Sequence, residues 1–320
     1  MLRTLALTLI LATPAQADVP GTLSQIGQDY AGFAAAATTL ADAAAQTCDA
    51  AALQPAFNAA FDAWMAVAHL RLGPVEQDGR ALAIAFWPDP KALGAKAQRW
   101  LLTGDPAMLE PETFAQQSVA ARGLMGLERL LYPAEAPPAD PCPLIRATAD
   151  NLARMAAEVA RDWPAFAQVI ATAGQPGNSV YLTEAEGKQA LFTQLATGIE
   201  ALAEGRIGRP LGTFDKPRPE RAEARASSRS LRNIGLSVAA LRDMALALDA
   251  NIPITTAAFD RAARLVAALD DPKLAGIAEP QGWLKVEILQ QSVRAARDAV
   301  VAELAPALGV GLGFNAQDGD

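Results

Sequence analysis

Histidine is almost absent: His69 is the only one in the chain. A histidine-based triad, or a metal site needing two imidazoles, therefore has a single residue to start from. The chain also lacks a glycine-rich phosphate loop, a His-Glu-x-x-His segment and a nucleophile elbow. The usual sequence grounds for nucleotide binding, zinc proteolysis and serine hydrolysis go with them. Aromatic residues make up only 6% against 51% hydrophobic residues overall, so the core must be built mainly from Ala and Leu. A basic excess is missing too. The net charge of −8 excludes a nucleic-acid partner and is compatible with cation binding. Only two cysteines occur, Cys48 and Cys142. With one distant histidine they make a poor zinc site, and one disulfide is the expectation in an oxidising compartment.

Long hydrophobic runs are lacking as well. Arg3 and the apolar stretch Leu5 to Ala12 precede Ala15-Gln16-Ala17, which has small residues where a signal peptidase reads. The run is too short for a stable membrane span, so residues 1–17 are expected to be a cleaved export signal. Asp18 then begins a mature periplasmic protein. Later Ala-rich stretches are broken every few residues by Asp, Arg or Gln, so no transmembrane span is expected in the mature chain.

What remains is helical periodicity. Phe57, Phe61, Trp64, Ala68 and Leu72 recur on one face of a helix that Gly73-Pro74 ends. Comparable stretches cover about 20–46, 91–103, 112–132, 143–173, 183–204, 220–250, 256–269 and 282–305, with Thr183 and Glu186 forming a capping box. Residues 73–90 read as a loop or paired turns, 133–143 as a Pro-rich connection, and 205–219 as extended. No stretch alternates as a strand would. A break at 173–180 divides the helices into an N-terminal set (18–175) and a C-terminal set (176–320). The expected fold is all-α, two packed helical bundles of about four helices each.

Chemistry is suggested by polar residues on apolar stripes. Glu128 falls within the face defined by Leu124, Leu127 and Leu131. A carboxylate there must be paired, hydrogen-bonded, bound to a cation or raised in pKa; Arg71 is a candidate partner. In the stretch 220–250, the stripe of Ile234, Val238 and Leu241 runs back through Ser230 and Ser227 to Glu223. Arg218, Arg221, Arg225, Arg229 and Arg232 fall opposite, as a solvated face. Glu223 also suits a helix N-terminus, where the macrodipole favours an acid. His69 reads as a boundary histidine beside Met65. Taken together, Glu128, Glu223, Ser227 and Ser230 suggest one polar pocket between the halves.

These residues also carry a resemblance. The segment Gly123-Leu124-Met125-Gly126-Leu127-Glu128, followed by Arg129-Leu130-Leu131-Tyr132, resembles the G-x-H-x-x-E signature of the imelysin family, also called the M75 peptidase family. Gly73-Pro74, Phe86-Trp87-Pro88-Asp89 and the run Glu223 to Ile234 extend the likeness over most of the chain. The resemblance implies two related helical bundles, export to the periplasm or outer surface, a site between the bundles and an association with iron uptake. It also implies a peptidase ancestry in name. Carried over by position, Glu128 is the motif glutamate, while Glu223, Ser227 and Ser230 match polar positions of the second bundle. Met125 stands where the motif histidine belongs. A thioether is a weak, soft ligand and no general base, which counts against a metallopeptidase.

Three functions follow as expectations. One is a non-enzymatic binding protein for iron, another divalent or trivalent cation, or an iron-loaded small molecule, using Glu128 and Glu223 as oxygen ligands. The second is an M75-type metallopeptidase. The third is a module engaging an envelope protein partner, for example through the Arg-lined face.

Overall fold

In the computed structural model, which describes residues 18–311, the chain folds as helices joined by short turns. The long first helix α1 (Val19–Gln46) is capped by the Asp18 carboxylate, which accepts from Gly21 N at 2.8 Å. Next come α2 (Ala50–Val67), α3 (Arg80–Ile84), α4 (Leu93–Thr103), α5 (Pro111–Ala115), α6 (Gly123–Leu131) and α7 (Cys142–Ala171). The second half contains α8 (Glu184–Glu200), α9 (Gly208–Leu211), α10 (Ser230–Leu248), α11 (Pro253–Ala268) and α12 (Pro280–Leu308). A bridge between Thr213 and Lys216 is the one β-type pairing among the described residues. Residues 1–17, where the export signal is expected, lie outside them.

The elements sort into two packed sets. Helices α1, α2, α6 and α7 pack on one another, as do α8, α10, α11 and α12, and α10 lies against both α1 and α2. The scarce aromatics concentrate in the first set. Tyr30 meets Trp163 at 5.2 Å between ring centroids, Phe33 meets Trp64 at 5.2 Å, and the Trp163 indole donates to Leu23 O at 3.1 Å. The second set fills its interior with aliphatics such as Ile199, Leu241, Leu289 and Val300. Cys48 and Cys142 form the expected disulfide, with Cα atoms 5.3 Å apart, joining the turn before α2 to the start of α7. Among the described residues no helix is long and apolar enough to cross a membrane.

Four local expectations need correction. The stretch 112–132 is not one helix but α5, a 3-10 turn (Val119–Ala121) and α6. Gly123 forces the break: its φ is +65°, and a Cβ there would sit 2.1 Å from Ala83 O. Residues 205–211 are not extended, because α8 runs on through a π-helical segment (Ala201–Ile207) into α9. The first ten residues of the expected helix 220–250 are not α-helical either. A 3-10 turn (Pro219–Arg221) is followed by an irregular segment, with Ala224 at φ 49° and Ser228 at φ 60°, before α10 starts at Ser230. Finally, α2 ends at Val67, five residues short of Leu72, leaving Ala68 and His69 in a turn and Leu70 and Arg71 in irregular chain.

Candidate functional site

Two buried carboxylates meet the junction of the helical sets from opposite sides. Glu128 is 4% exposed on α6, and Glu223 is 4% exposed in the irregular segment before α10. Glu128 Oε1 accepts two hydrogen bonds from Ser227, from the backbone N at 2.8 Å and from Oγ at 2.7 Å. The break in the helix makes this possible. Inside a helix the Ser227 N–H would be bound to the carbonyl four residues back; in the turn it is free to reach across. The expected ion pair with Arg71 is not formed. Arg71 lies half exposed, its Nε 3.9 Å from Glu76, while its backbone N donates to Gln194 Oε1 at 2.6 Å.

Burial pushes the Glu128 carboxyl above its ordinary range, the Ser227 bonds oppose that shift, and the nearby negative Glu223 adds to it. Glu223 is compensated differently. Its Oε2 accepts from Arg206 Nε at 2.8 Å and from Asn233 Nδ2 at 3.0 Å. Ser230 is buried nearby on α10 with its hydroxyl unpartnered. Met125, 7% exposed, sits on α6 with its side chain in the apolar core. The structure thus brings Glu128, Ser227 and Glu223 into one electrostatic neighbourhood, and leaves Arg71 on its rim.

Beside this cluster opens a cleft of about 810 Å³, lined by Glu223, Arg206, Arg209, Arg71, His69 and Trp87 among others. The Arg209 guanidinium lies 5.8 Å from the Trp87 ring centroid, next to the cis Trp87–Pro88 peptide. His69 is more engaged than a boundary residue. Its Nε2 lies 3.2 Å from Met244 Sδ. Burial, with Arg71 and Arg206 close by, lowers its pKa to about 3, so the ring is neutral at neutral pH. Among the described residues no three His, Cys, Asp or Glu side chains converge as a metal cage.

Sequence reasoning missed Arg206, Arg209 and Asn233. The two arginines lie at or beyond the predicted helix end, where no periodicity marks a face. Asn233 sits inside the stripe next to Ile234, and a buried Asn there was itself a signal of a polar partner. Arg229, expected on a solvated face, is buried: it is 2% exposed, donates to Asn58 Oδ1 at 2.8 Å and pairs with Asp62. Phe61 offers it a ring face at 4.7 Å.

Comparisons with known proteins agree with this architecture. An imelysin-like protein from Psychrobacter arcticum 273-4 superposes with a TM-score of 0.75 at 19% identity, over 95% of this chain and 100% of that one. A protein described as an iron-regulated protein A precursor, from Parabacteroides distasonis ATCC 8503, superposes with a TM-score of 0.61 at 13% identity, over 91% and 96% respectively. At these identities the likeness is one of fold. No curated protein matches the sequence. The sequence pattern of the imelysin family, peptidase M75, matches residues 26–300. The chain belongs to the imelysin family.

Proposed function

We propose that this protein is an exported, non-enzymatic binding protein associated with iron uptake, with its ligand held in the cleft beside Glu128 and Glu223. The observation that carries this reading is the pair of buried carboxylates supplied by different helical sets. Each is hydrogen-bonded through one oxygen, Glu128 through Oε1 and Glu223 through Oε2, and Glu223 itself lines the cleft, where its other oxygen can meet a ligand, with Glu128 beside it as a second negative charge. Carboxylate oxygens suit a hard cation such as ferric iron. Three carboxylates line the cleft, Glu200, Glu204 and Glu223, but Glu223 is paired with Arg206 and Glu204 with Arg294, so the cargo that fits best is iron already carried by a small chelator. The arginines and Trp87 of the cleft would grip the chelator.

Export has its own support. Asp18 N donates to Leu248 O at 3.1 Å, at the C-terminal end of α10. Cleavage after Ala17 would place an ammonium at that carbonyl, where the helix macrodipole favours positive charge. The disulfide suits an oxidising compartment. Peptidase chemistry is not proposed, since Met125 supplies neither a base nor a hard ligand at the motif position.

Equilibrium dialysis against ferric iron, ferrous iron and ferric citrate tests the proposal. Wild-type protein should take up at least one form, and Glu128→Ala with Glu223→Ala should weaken uptake by about tenfold or more. Uptake should also fall with acidification. Protonation of Glu128, whose pKa is raised, competes with the cation. No uptake by the wild type in any form would end the reading.

A further inference from the structure

A surface helix normally turns its apolar residues inward and its polar ones outward. Helix α4 does much of the reverse. Its buried residues are Gly94, Gln98 and Leu101, of which only the last is a large apolar side chain. Gln98 is fixed there by its donation to Ala121 O and Gly126 O and by accepting from Arg129 Nε at 3.1 Å. The outer face carries Leu93, 45% exposed, and Trp100, 53% exposed. With Lys96 they follow the i, i+3, i+7 spacing of a single stripe. The other tryptophans, Trp64, Trp87, Trp163 and Trp283, are all buried or half-buried, so Trp100 alone presents its ring to water.

Charge on this face is one-sided. From Pro90 to Gly104 the chain holds Lys91, Lys96 and Arg99 and no carboxylate, in a molecule whose net charge is −8. All three are exposed, and among the described residues none takes part in an ion pair. The acids at either end face backbone instead. Asp89 accepts from Leu93 N and Gly94 N, each at 2.8 Å, and Asp105 accepts from Ala107 N at 2.9 Å. Glu110 and Glu112 stand farther along, where α5 packs on α7. The clefts formed by the flanking segments, one reaching Trp87 and Pro88 and the other Pro106 and Leu109, leave α4 out of their linings. This face therefore offers no hollow for a small molecule. It suits a broad anionic surface that can accept an indole ring.

We propose that α4 docks the protein on an anionic bilayer, lying along the headgroups with Trp100 and Leu93 entering the interface and Lys91, Lys96 and Arg99 facing the lipid phosphates. Tryptophan is favoured at that depth, where its ring is half in hydrocarbon and half in water, and basic side chains on the same helix add attraction to anionic lipid. The negative charge of the rest of the molecule does not oppose this, because at physiological salt a charge is felt over only about 8 Å. Docking would also bring Trp87 of the candidate cleft close to the bilayer, since only the short turn 88–92 separates it from α4.

Co-sedimentation of the full mature protein with vesicles tests this, comparing pure phosphatidylcholine with phosphatidylcholine containing phosphatidylglycerol. The anionic vesicles should bind the protein at least about tenfold more tightly, and the difference should shrink as salt is raised. One basic residue at such a surface is worth about a fivefold change in affinity. Lys96→Glu with Arg99→Glu should therefore weaken binding by about twentyfold or more while leaving the melting temperature unchanged, since both positions are exposed. Trp100→Ser should weaken binding by about fivefold or more. The proposal is overturned by absent binding to anionic vesicles, by equal binding to neutral ones, or by unchanged binding in the charge-reversed variant. Soluble polyglutamate that binds as tightly, with no loss in Trp100→Ser, would overturn it in favour of an acidic protein partner. Iron uptake in dialysis needs no vesicle and α4 lines no part of that cleft, so failure of one proposal leaves the other standing.

Discussion

His69 shows how a single side chain reports the condition of the cleft. Its ring contacts Met244, lies near two arginines and is partly buried where it lines the cleft, all of which disfavour the imidazolium. In the unfolded chain the ring takes a proton near pH 6.5, whereas in the folded protein it does so only near pH 3. Between those limits the unfolded state holds more protons. Stability is therefore full above about pH 6.5 and declines as pH falls, by up to about 1.4 kcal/mol per pH unit from this group. Because the chain has no other histidine, its imidazole NMR signals need no assignment. We expect them to show no titration between pH 8 and 5. A midpoint near 6.5 would mean that the ring is solvated and that the cleft is more open than its lining implies.

At the scale of the element, α6 works because its first turn can touch another backbone. Gly123 has φ +65°, and a Cβ there would meet Ala83 O at 2.1 Å and Ile84 O at 2.3 Å. The neighbouring turn is fixed by Gln98, whose Nε2 donates to Ala121 O at 3.0 Å and to Gly126 O at 2.9 Å. Together these contacts set the position from which Glu128 faces Ser227. Gly123→Ala must either strain the left-handed backbone or push α3 away, and should destabilise by at least about 2 kcal/mol in urea unfolding. A loss below about 0.5 kcal/mol would mean that α6 can shift without disturbing its neighbours. The same region shows what was legible in the sequence. The long helices α1, α7, α10 and α12 were readable because their apolar faces persist over many turns, and Glu128 because a carboxylate interrupts such a face. The break before α10 was not, since Glu223, Ser227 and Ser230 keep helical spacing while the chain between them is a turn. Periodicity records which residues face inward, and here a turn and a helix bury the same ones. What decided between them was Glu128, which needs a free N–H that a helix interior cannot offer.

For the whole molecule, the question is what keeps the two helical sets in one relation, since the candidate cleft is made from both. The disulfide does not do this, because it closes a loop within the first set. The connection is carried by the start of α10 against α2. There Arg229 and Arg232 both pair with Asp62, Arg229 also donates to Asn58, and the Phe61 ring covers its guanidinium. Arg232 is exposed and contributes little by itself. Arg229 is 2% exposed, and removing its carboxylate would leave a charge that water cannot reach. Asp62→Ala should therefore cost about 3–5 kcal/mol, far more than an exposed ion pair. If the cost is that of a stranded charge, Arg229→Met placed on the Asp62→Ala background should restore much of it, since a methionine fills the space without needing a partner. Chemical denaturation of the two single variants and the double variant measures the coupling directly. Simple additivity would show that Asp62 and Arg229 act independently, and the geometry of the cleft would then have to be held by the apolar packing of α10 on α1 and α2.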